Sequence, residues 1–214
     1  MSVSEPSKIK HLIFDLGGVL LNINPLLSLI ELGKISGLDH PELINRMTES
    51  KIFENFDTGY YNPGQFRGEL RRIIGKNVAD AEIDRIWNVL LLDFPPQRVK
   101  MLQELRNNYG VYLLSNTNCI HFLHYSAAFR ERYNLNLPDL FDRLFLSYEI
   151  GRHKPDPEIY IYVLQQAGLI ASECLFVDDS LPNIEAAAKL GIAGLHISGE
   201  HDVTHFFRDG VLSG

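Results

Sequence analysis

The sequence predicts an α/β fold: a parallel sheet whose first strand is followed by an all-helical insertion. Three observations predict it. The run His11–Phe14 is apolar or nearly so, lacks helical periodicity, and ends in Asp15 and two glycines, the pattern of a buried parallel strand. From Pro96 onward, short apolar runs alternate with helical patterns, which implies right-handed crossovers and a parallel sheet. Between them, residues 22–95 carry helical spacing and no convincing strand.

Taken in order, a second apolar run, Val19–Leu21, follows the opening strand, and Asn22–Pro25 is turn chemistry with Pro25 suited to a helix's first turn. Leu26, Leu27, Leu29, Ile30 and Leu32 are dense enough to predict a short buried helix. Helices are also predicted at Pro41–Met47, with Asp39 or His40 near the cap, at Gln65–Ile74 and at Asp80–Leu92, with a loop over Asp57–Gly64. Phe94-Pro-Pro96 punctuates the return to the sheet domain. Helices are then expected at Val99–Asn108, Ile120–Phe129, Pro157–Ala167 and Pro182–Leu190, the last two stopped by Gly168 and Gly191. The intervening strands are Val111–Leu114, Leu144–Ser147, Cys174–Val177 and Ala193–Ile197.

Composition narrows the function. A net charge of −7 argues against a nucleic-acid or anionic-membrane partner, either of which calls for a basic stripe. An anionic ligand would have to be held by local cations, a metal or backbone N–H groups. Cys119 and Cys174 form no CxxC pair and read as buried free thiols in a reducing cytoplasm. The first ten residues lack a signal peptide's apolar centre and no apolar run reaches membrane-spanning length, so a soluble cytoplasmic protein is expected.

Three strands end in polar residues: Asp15, Ser115-Asn116 and Asp178-Asp179. Parallel strands present their C-terminal ends on one sheet edge, where open α/β sheets bind ligands. Lys154 follows the third strand in Gly-Arg-His-Lys-Pro-Asp-Pro157. Together these form a kit for handling a phosphoryl group. The acids suit Mg²⁺, which prefers oxygen ligands. The metal and Lys154 neutralise phosphate charge, Ser115 and Asn116 donate hydrogen bonds to its oxygens, and Asp15 attacks phosphorus.

Asp15-Leu-Gly-Gly-Val19, Ser115-Asn-Thr117, Lys154-Pro-Asp-Pro157 and Val177-Asp-Asp-Ser-Leu-Pro-Asn-Ile-Glu-Ala-Ala187 resemble the four ordered motifs of the haloacid dehalogenase-like superfamily. The resemblance runs from His11 to about Ile197. It implies a Rossmann-like core at 1–21 and 96–214 and a helical cap at 22–95. It also implies a Mg²⁺-dependent phosphatase of small phosphorylated metabolites, working through an aspartyl-phosphate. By resemblance Asp15 is nucleophile and metal ligand, Gly17 offers the metal its backbone carbonyl, and Ser115 and Asn116 bind phosphate. Lys154 steadies nucleophile and phosphate, Asp179 ligates the metal directly, and Asp178 acts through water or toward Lys154.

One position departs from the pattern. Most phosphatases of this kind carry an aspartate two residues after the nucleophile, as acid to the leaving group and base to the water, and here Gly17 stands there. General acid catalysis is worth roughly 10²–10⁴ in rate, so its loss favours esters that leave with little help, a sugar 1-phosphate over a hexose 6-phosphate. 2-Haloacid dehalogenases also lack that acid, but two adjacent acids at the fourth motif would repel their metal-free nucleophile, which favours the phosphatase. A weakly active phospho-ligand-binding protein is the third reading. His121 and His124 lack the i, i+4 spacing of a helical zinc site, and His201 and His205 lie in a polar C-terminal segment, so all four are expected to be ordinary histidines. Specificity groups are expected from Asp57–Tyr61 and from Asn22, Asn24, Arg46 or Lys51. The sequence says nothing of oligomeric state.

Overall fold

A computed structural model of the protein describes residues 6–199 and 201–213. Residues 1–5, 200 and 214, which complete the expected core boundaries and the expected absence of a leader, lie outside the described residues. Five strands, β1 (His11–Phe14), β2 (Gly110–Ser115), β3 (Arg143–Leu146), β4 (Cys174–Asp178) and β5 (Ala193–His196), form one parallel sheet in the order β3-β2-β1-β4-β5. The central strand, β1, pairs through Phe14 with Leu113 of β2 and Val177 of β4. That register places Asp15 between the C-terminal ends of both neighbours.

Side chains alternate across each strand, so the sheet is buried on both faces. Leu12, Phe14, Val111, Leu113, Leu175 and Val177 pack on one side with α6 (Pro96–Leu105) and α7 (Cys119–Tyr133). Ile13, Leu114, Phe145 and Phe176 pack on the other with α9 (Pro157–Ala167) and α10 (Leu181–Ala188). Each crossover helix is bounded by local chemistry. Asn118 caps α7 by accepting from the His121 N–H, and Asp156 caps α9.

The inserted segment forms five helices: α1 (Pro25–Ser36), α2 (His40–Glu49), α3 (Ile52–Asp57), α4 (Pro63–Ile74) and α5 (Asp80–Asn88). They bury a second core of Leu32, Leu43, Met47, Phe56, Phe66, Leu70, Ile83 and Trp87. Asn62 and Gln65 close a reciprocal capping box at the start of α4. The chain enters and leaves this domain through paired segments. Ile23 bridges Leu91 antiparallel, Asn22 N–H donates to the Asp93 carbonyl, and Asn24 N–H donates to the Leu90 carbonyl.

Several expectations need correction. The helix over residues 80–92 ends at Asn88 because residues 90–93 are taken by that pairing. Helix α1 is not buried: Leu26 is largely exposed and Leu27, Leu29 and Ile30 only partly covered, since one face of this helix borders a cavity. Helix α3 lies in a stretch where no element was expected. Ser147 does not extend β3 but opens the short helix α8 (Ser147–Ile150). The C-terminal segment is less polar than its histidines suggest. Val203, Phe207 and Leu212 are buried, and Phe207 packs 5.7 Å from Phe14, ring centre to ring centre. Both cysteines are free, but only Cys174 is buried; Cys119 is partly exposed. Among the described residues no helix is long and apolar enough to cross a membrane.

The cap core depends on its aromatic centre, where Phe56 and Phe66 stack at 4.0 Å and Phe66 meets Trp87 at 4.7 Å. Phe66→Ala is expected to cost about 3–5 kcal/mol, read as a lowered denaturant midpoint.

Candidate active site

The loop after β1 makes room for chemistry with its two glycines. Gly18 adopts φ +78°, and any Cβ there would collide with the carboxylate of Asp179. Gly17 is tight as well: a Cβ would start 3.1 Å from Ile23 Cδ1. The first glycine therefore makes way for Ile23, and the second for an acid on a neighbouring strand.

Lys154 ties the sheet edge together. Its Nζ donates to Asp15 Oδ1 at 2.7 Å, to Asp178 Oδ2 at 2.7 Å and to the Leu114 carbonyl at 3.0 Å, so each ammonium proton has an acceptor. Lys154 and Asp178 are almost fully buried. Burial pulls Lys154 down, but the charges of Asp15 and Asp178 together outweigh it and hold the ammonium above its ordinary range. Burial pushes Asp15 up, against the pull of Lys154. Asp179 is also raised, by burial and then by the charge of Asp178.

The two acids of the fourth motif are differently engaged. Asp178 has both oxygens occupied: Oδ1 accepts from Ser180 N–H and Asn183 Nδ2, and Oδ2 from Lys154. Asp179 accepts no hydrogen bond from another residue among the described residues and stands beside Gly18. Asp15, Asp178 and Asp179 each bring an oxygen within 4.8 Å of the others. Three carboxylates against one ammonium leave two negative charges, and the donors are all oxygen. That set suits a hard divalent cation such as Mg²⁺.

Ser115 and Asn116 reach the same edge but are not equivalent. Ser115 Oγ makes no hydrogen bond among the described residues. The Asn116 amide engages Lys154, accepting its backbone N–H at 2.8 Å and donating to its carbonyl at 2.9 Å. Asn116 thus clamps Lys154 as well as standing at the sheet edge: the clamp takes Oδ1 and one of the two Nδ2 hydrogens, and leaves the other for an anion. The next loop residue, Thr117, is fixed by Ser147, whose hydroxyl accepts the Thr117 N–H and donates to its carbonyl, both at 2.9 Å.

Above this edge lies a cavity of about 270 Å³ between core and cap, lined by Gly17, Ser115 and Asn116 below and by residues such as Leu32, Met47, Phe53 and Trp87 above. His121 forms part of the wall. Its ring stacks on Trp87 at 5.3 Å and is hydrogen-bonded to Asn88, and burial lowers it to about 3, so it is neutral. Asp57, at the end of α3, also lines the cavity and accepts a hydrogen bond from Asn118 Nδ2 at 2.9 Å.

Of the expected specificity groups, Asp57 alone borders this cavity. Asn22 is held by Asp93 and Arg98, Asn24 caps α1, Arg46 pairs with Glu42, and Lys51 precedes α3 in the left-handed region. Tyr60 is exposed and Tyr61 packs on the cap core. His121 is the ordinary histidine expected of it, whereas Asn118 was not expected at the cavity; its signal is the Asn-cap register of α7, which turns the first-turn residues toward the cap.

Residues 9–191 match the family described as haloacid dehalogenase-like hydrolase. D-ribitol-5-phosphate phosphatase of Bacteroides thetaiotaomicron is 30% identical over 183 residues, covering 86% of this chain and 89% of that protein. Sesquiterpene phosphatase astK of Aspergillus oryzae is 31% identical over 195 residues, covering 88% and 90%. The HAD family enzyme bt-2542 of Bacteroides thetaiotaomicron, solved with magnesium and inorganic phosphate, superposes with a TM-score of 0.86 at 36% identity, over 94% of this chain and 100% of that one. L-2-haloacid dehalogenase from Xanthobacter autotrophicus reaches a TM-score of 0.60 at 20% identity, covering 88% and 77%, a likeness of fold alone.

Replacing Lys154 by an apolar side chain would leave two buried carboxylates without their counter-charge. Lys154→Met is expected to destabilise the fold by about 3–5 kcal/mol, measured by urea unfolding at neutral pH.

Proposed function

The chain belongs to the haloacid dehalogenase-like hydrolases, and from that premise we propose that it is a Mg²⁺-dependent phosphatase of small phosphate monoesters. The observation that carries this reading is the cluster at the sheet edge: a nucleophile-bearing carboxylate held by a buried ammonium, with two further carboxylates beside it. A haloacid dehalogenase has no use for the two extra acids, whose charge would oppose attack by Asp15. Relatives that are phosphatases, one family enzyme being solved with magnesium and phosphate, support the same chemistry.

In this reading Asp15, Asp179, Asp178 and the Gly17 carbonyl would hold the metal, which when bound neutralises phosphoryl charge. Ser115 Oγ and the Asn116 N–H donate to the phosphate oxygens, and Lys154 orients Asp15. Asp15 attacks phosphorus, the alcohol departs, and water hydrolyses the aspartyl-phosphate. Asp178, saturated by Lys154, Ser180 and Asn183, serves chiefly to keep Lys154 charged, and Asp179 is the more available ligand.

The identity of the alcohol is a finer matter. Gly17 favours a sugar 1-phosphate or another ester that leaves readily. The cavity argues for something less polar. Its walls are mainly apolar, and several of its polar side chains are already paired, Ser28 with the Ile86 carbonyl, His121 with Asn88 and Asn118 with Asp57, while Trp87 Nε1 and Tyr125 Oη are buried there without a partner among the described residues. A hexose would bury hydroxyls with few partners, at a cost of about 1–3 kcal/mol for each group left unpaired. A relative acting on a polyol phosphate and one acting on a sesquiterpene phosphate stand at similar identity, so relatives do not rank the two. We take an alcohol with an apolar face as the better fit.

With Mg²⁺, p-nitrophenyl phosphate should be hydrolysed; EDTA should abolish the activity and Asp15→Asn should lower it by about 10³-fold or more. Unchanged rates in Asp15→Asn would exclude the reading. Among natural-type esters, a prenyl or aryl monophosphate should show a KM about tenfold or more below that of a hexose 1-phosphate, since two buried CH₂ groups supply that much. A lower KM for the hexose ester, with 1-phosphates ahead of 6-phosphates, would restore the sugar reading.

A further inference from the structure

We propose that Asp57, on the cap, is the proton donor to the departing alcohol and then the acceptor of the attacking water's proton, the duty for which Gly17 has no side chain. This rests on the phosphatase reading above. Position 17 does not merely lack an acid; a Cβ there would start 3.1 Å from Ile23 Cδ1, so a side chain would fit only if Ile23 shifted. The acid has to come from another element.

Geometry selects the cap. In-line displacement puts the leaving oxygen opposite Asp15, and the residues that follow Asp15, Leu16 and Gly17, line the cavity between core and cap. Asp57 lines that cavity together with Gly17, Ser115 and Asn116. Its carboxyl is fixed by a polarised relay. Asn118 Oδ1 accepts the His121 N–H as the cap of α7, which leaves Asn118 Nδ2 to donate to Asp57 Oδ1. Asp57 Oδ2 makes no hydrogen bond among the described residues, so one oxygen is anchored and the other is free to carry a proton. The backbone beyond it is equally constrained. Gly59, at φ +71°, lies so close to the Tyr148 carbonyl that a Cβ would collide with it, which seats this loop on the core.

The protonation state agrees with the role. Burial raises Asp57 to about 6, against the opposing hydrogen bond from Asn118 and the charge of His153. Of the ionisable side chains on the helices packed against α3, Tyr148 of α8 donates to Glu149, Arg46 of α2 pairs with Glu42, and Arg67, Arg71 and Arg72 of α4 pair with Asp84, Asp80 and Glu69; His121 of α7, in the same cavity wall, is neutral and bonded to Asn88. A carboxylic acid that titrates near neutrality can both give and take a proton. In the first step Asp15 forms its bond to phosphorus, the P–O bond to the alcohol breaks, and the Asp57 proton passes to the alcohol oxygen. In the second, water adds to the phosphoryl group, its proton returns to Asp57, and Asp15 is released with hydrogen phosphate.

The test compares kcat/KM for wild type and Asp57→Asn, with Mg²⁺, on an alkyl monophosphate and on p-nitrophenyl phosphate. Asparagine keeps the shape and can still accept from Asn118. The alkyl ester, a poor leaving group, should lose about 10²-fold or more, and the nitrophenyl ester at least tenfold less than that. The ratio of the two rates is independent of the fraction of folded enzyme. Because the protonated form acts first, wild-type kcat/KM on the alkyl ester should fall as pH rises through the Asp57 titration, and that alkaline limb should vanish in the variant. Equal losses on both esters, no loss on the alkyl ester, or a limb unchanged in the variant would each overturn the proposal. A wild type that hydrolyses neither ester, or an Asp15→Asn that still hydrolyses both, would instead overturn the phosphatase reading itself.

Discussion

The structure turns on one buried ammonium. Lys154 is the meeting point of β1 through Asp15, β2 through the Leu114 carbonyl and β4 through Asp178. An isolated charge in that setting would cost several kcal/mol, and each partner is there because another makes it tolerable. The lysine is long and flexible, so it must be aimed, and the double hydrogen bond of Asn116 to its backbone does so. The site is therefore a solution to a burial problem before it is a catalyst. A carboxylate held by a cation that cannot leave stays oriented, and in the proposed reaction that orientation is what attack on an anionic ester requires.

Much of this was legible in the residues. Strand ends are local features: an apolar run, a polar stop and a glycine or helix cap suffice to place Asp15, Ser115 and Asp178 on one edge, because parallel register does the rest. The strand-free, helical character of the inserted segment was legible, but not its detail. Helix α3 is six residues long and begins after Lys51 in a left-handed conformation, with no side-chain cap to announce it. The dense leucines of α1 suggested burial, whereas their neighbours are a cavity and solvent. The clamp of Asn116 on Lys154 was hidden for a different reason: it joins the amide to a backbone thirty-eight positions away, which no local pattern announces. Asp57 was visible only as part of a cap loop, since its burial and its bond to Asn118 join residues sixty-one positions apart.

The junction of cap and core is more ordered than a pair of linkers needs to be. Besides the backbone pairing of residues 22–24 with 90–93, Arg98 donates to Asn22 Oδ1 and to Asp202, drawing the C-terminal segment into the same junction. Asn22, which the sequence left as a specificity candidate, is structural: its amide spans Asp93 and Arg98. The helical domain is thus joined to the core by a braced two-stranded ribbon, the hinge between them.

Ile23 belongs to that ribbon, packs against Gly17 and lines the cavity, as do Leu90 and Leu91 across from it. The hinge and the binding wall are made of the same residues. Turning the ribbon therefore deforms the pocket, and a molecule wedged in the pocket resists the turn. An occupant that fills the apolar end without a scissile phosphate would act as a brake on the hinge, so an inhibitor for this protein can be sought by shape and hydrophobicity alone, with no phosphate mimic attached.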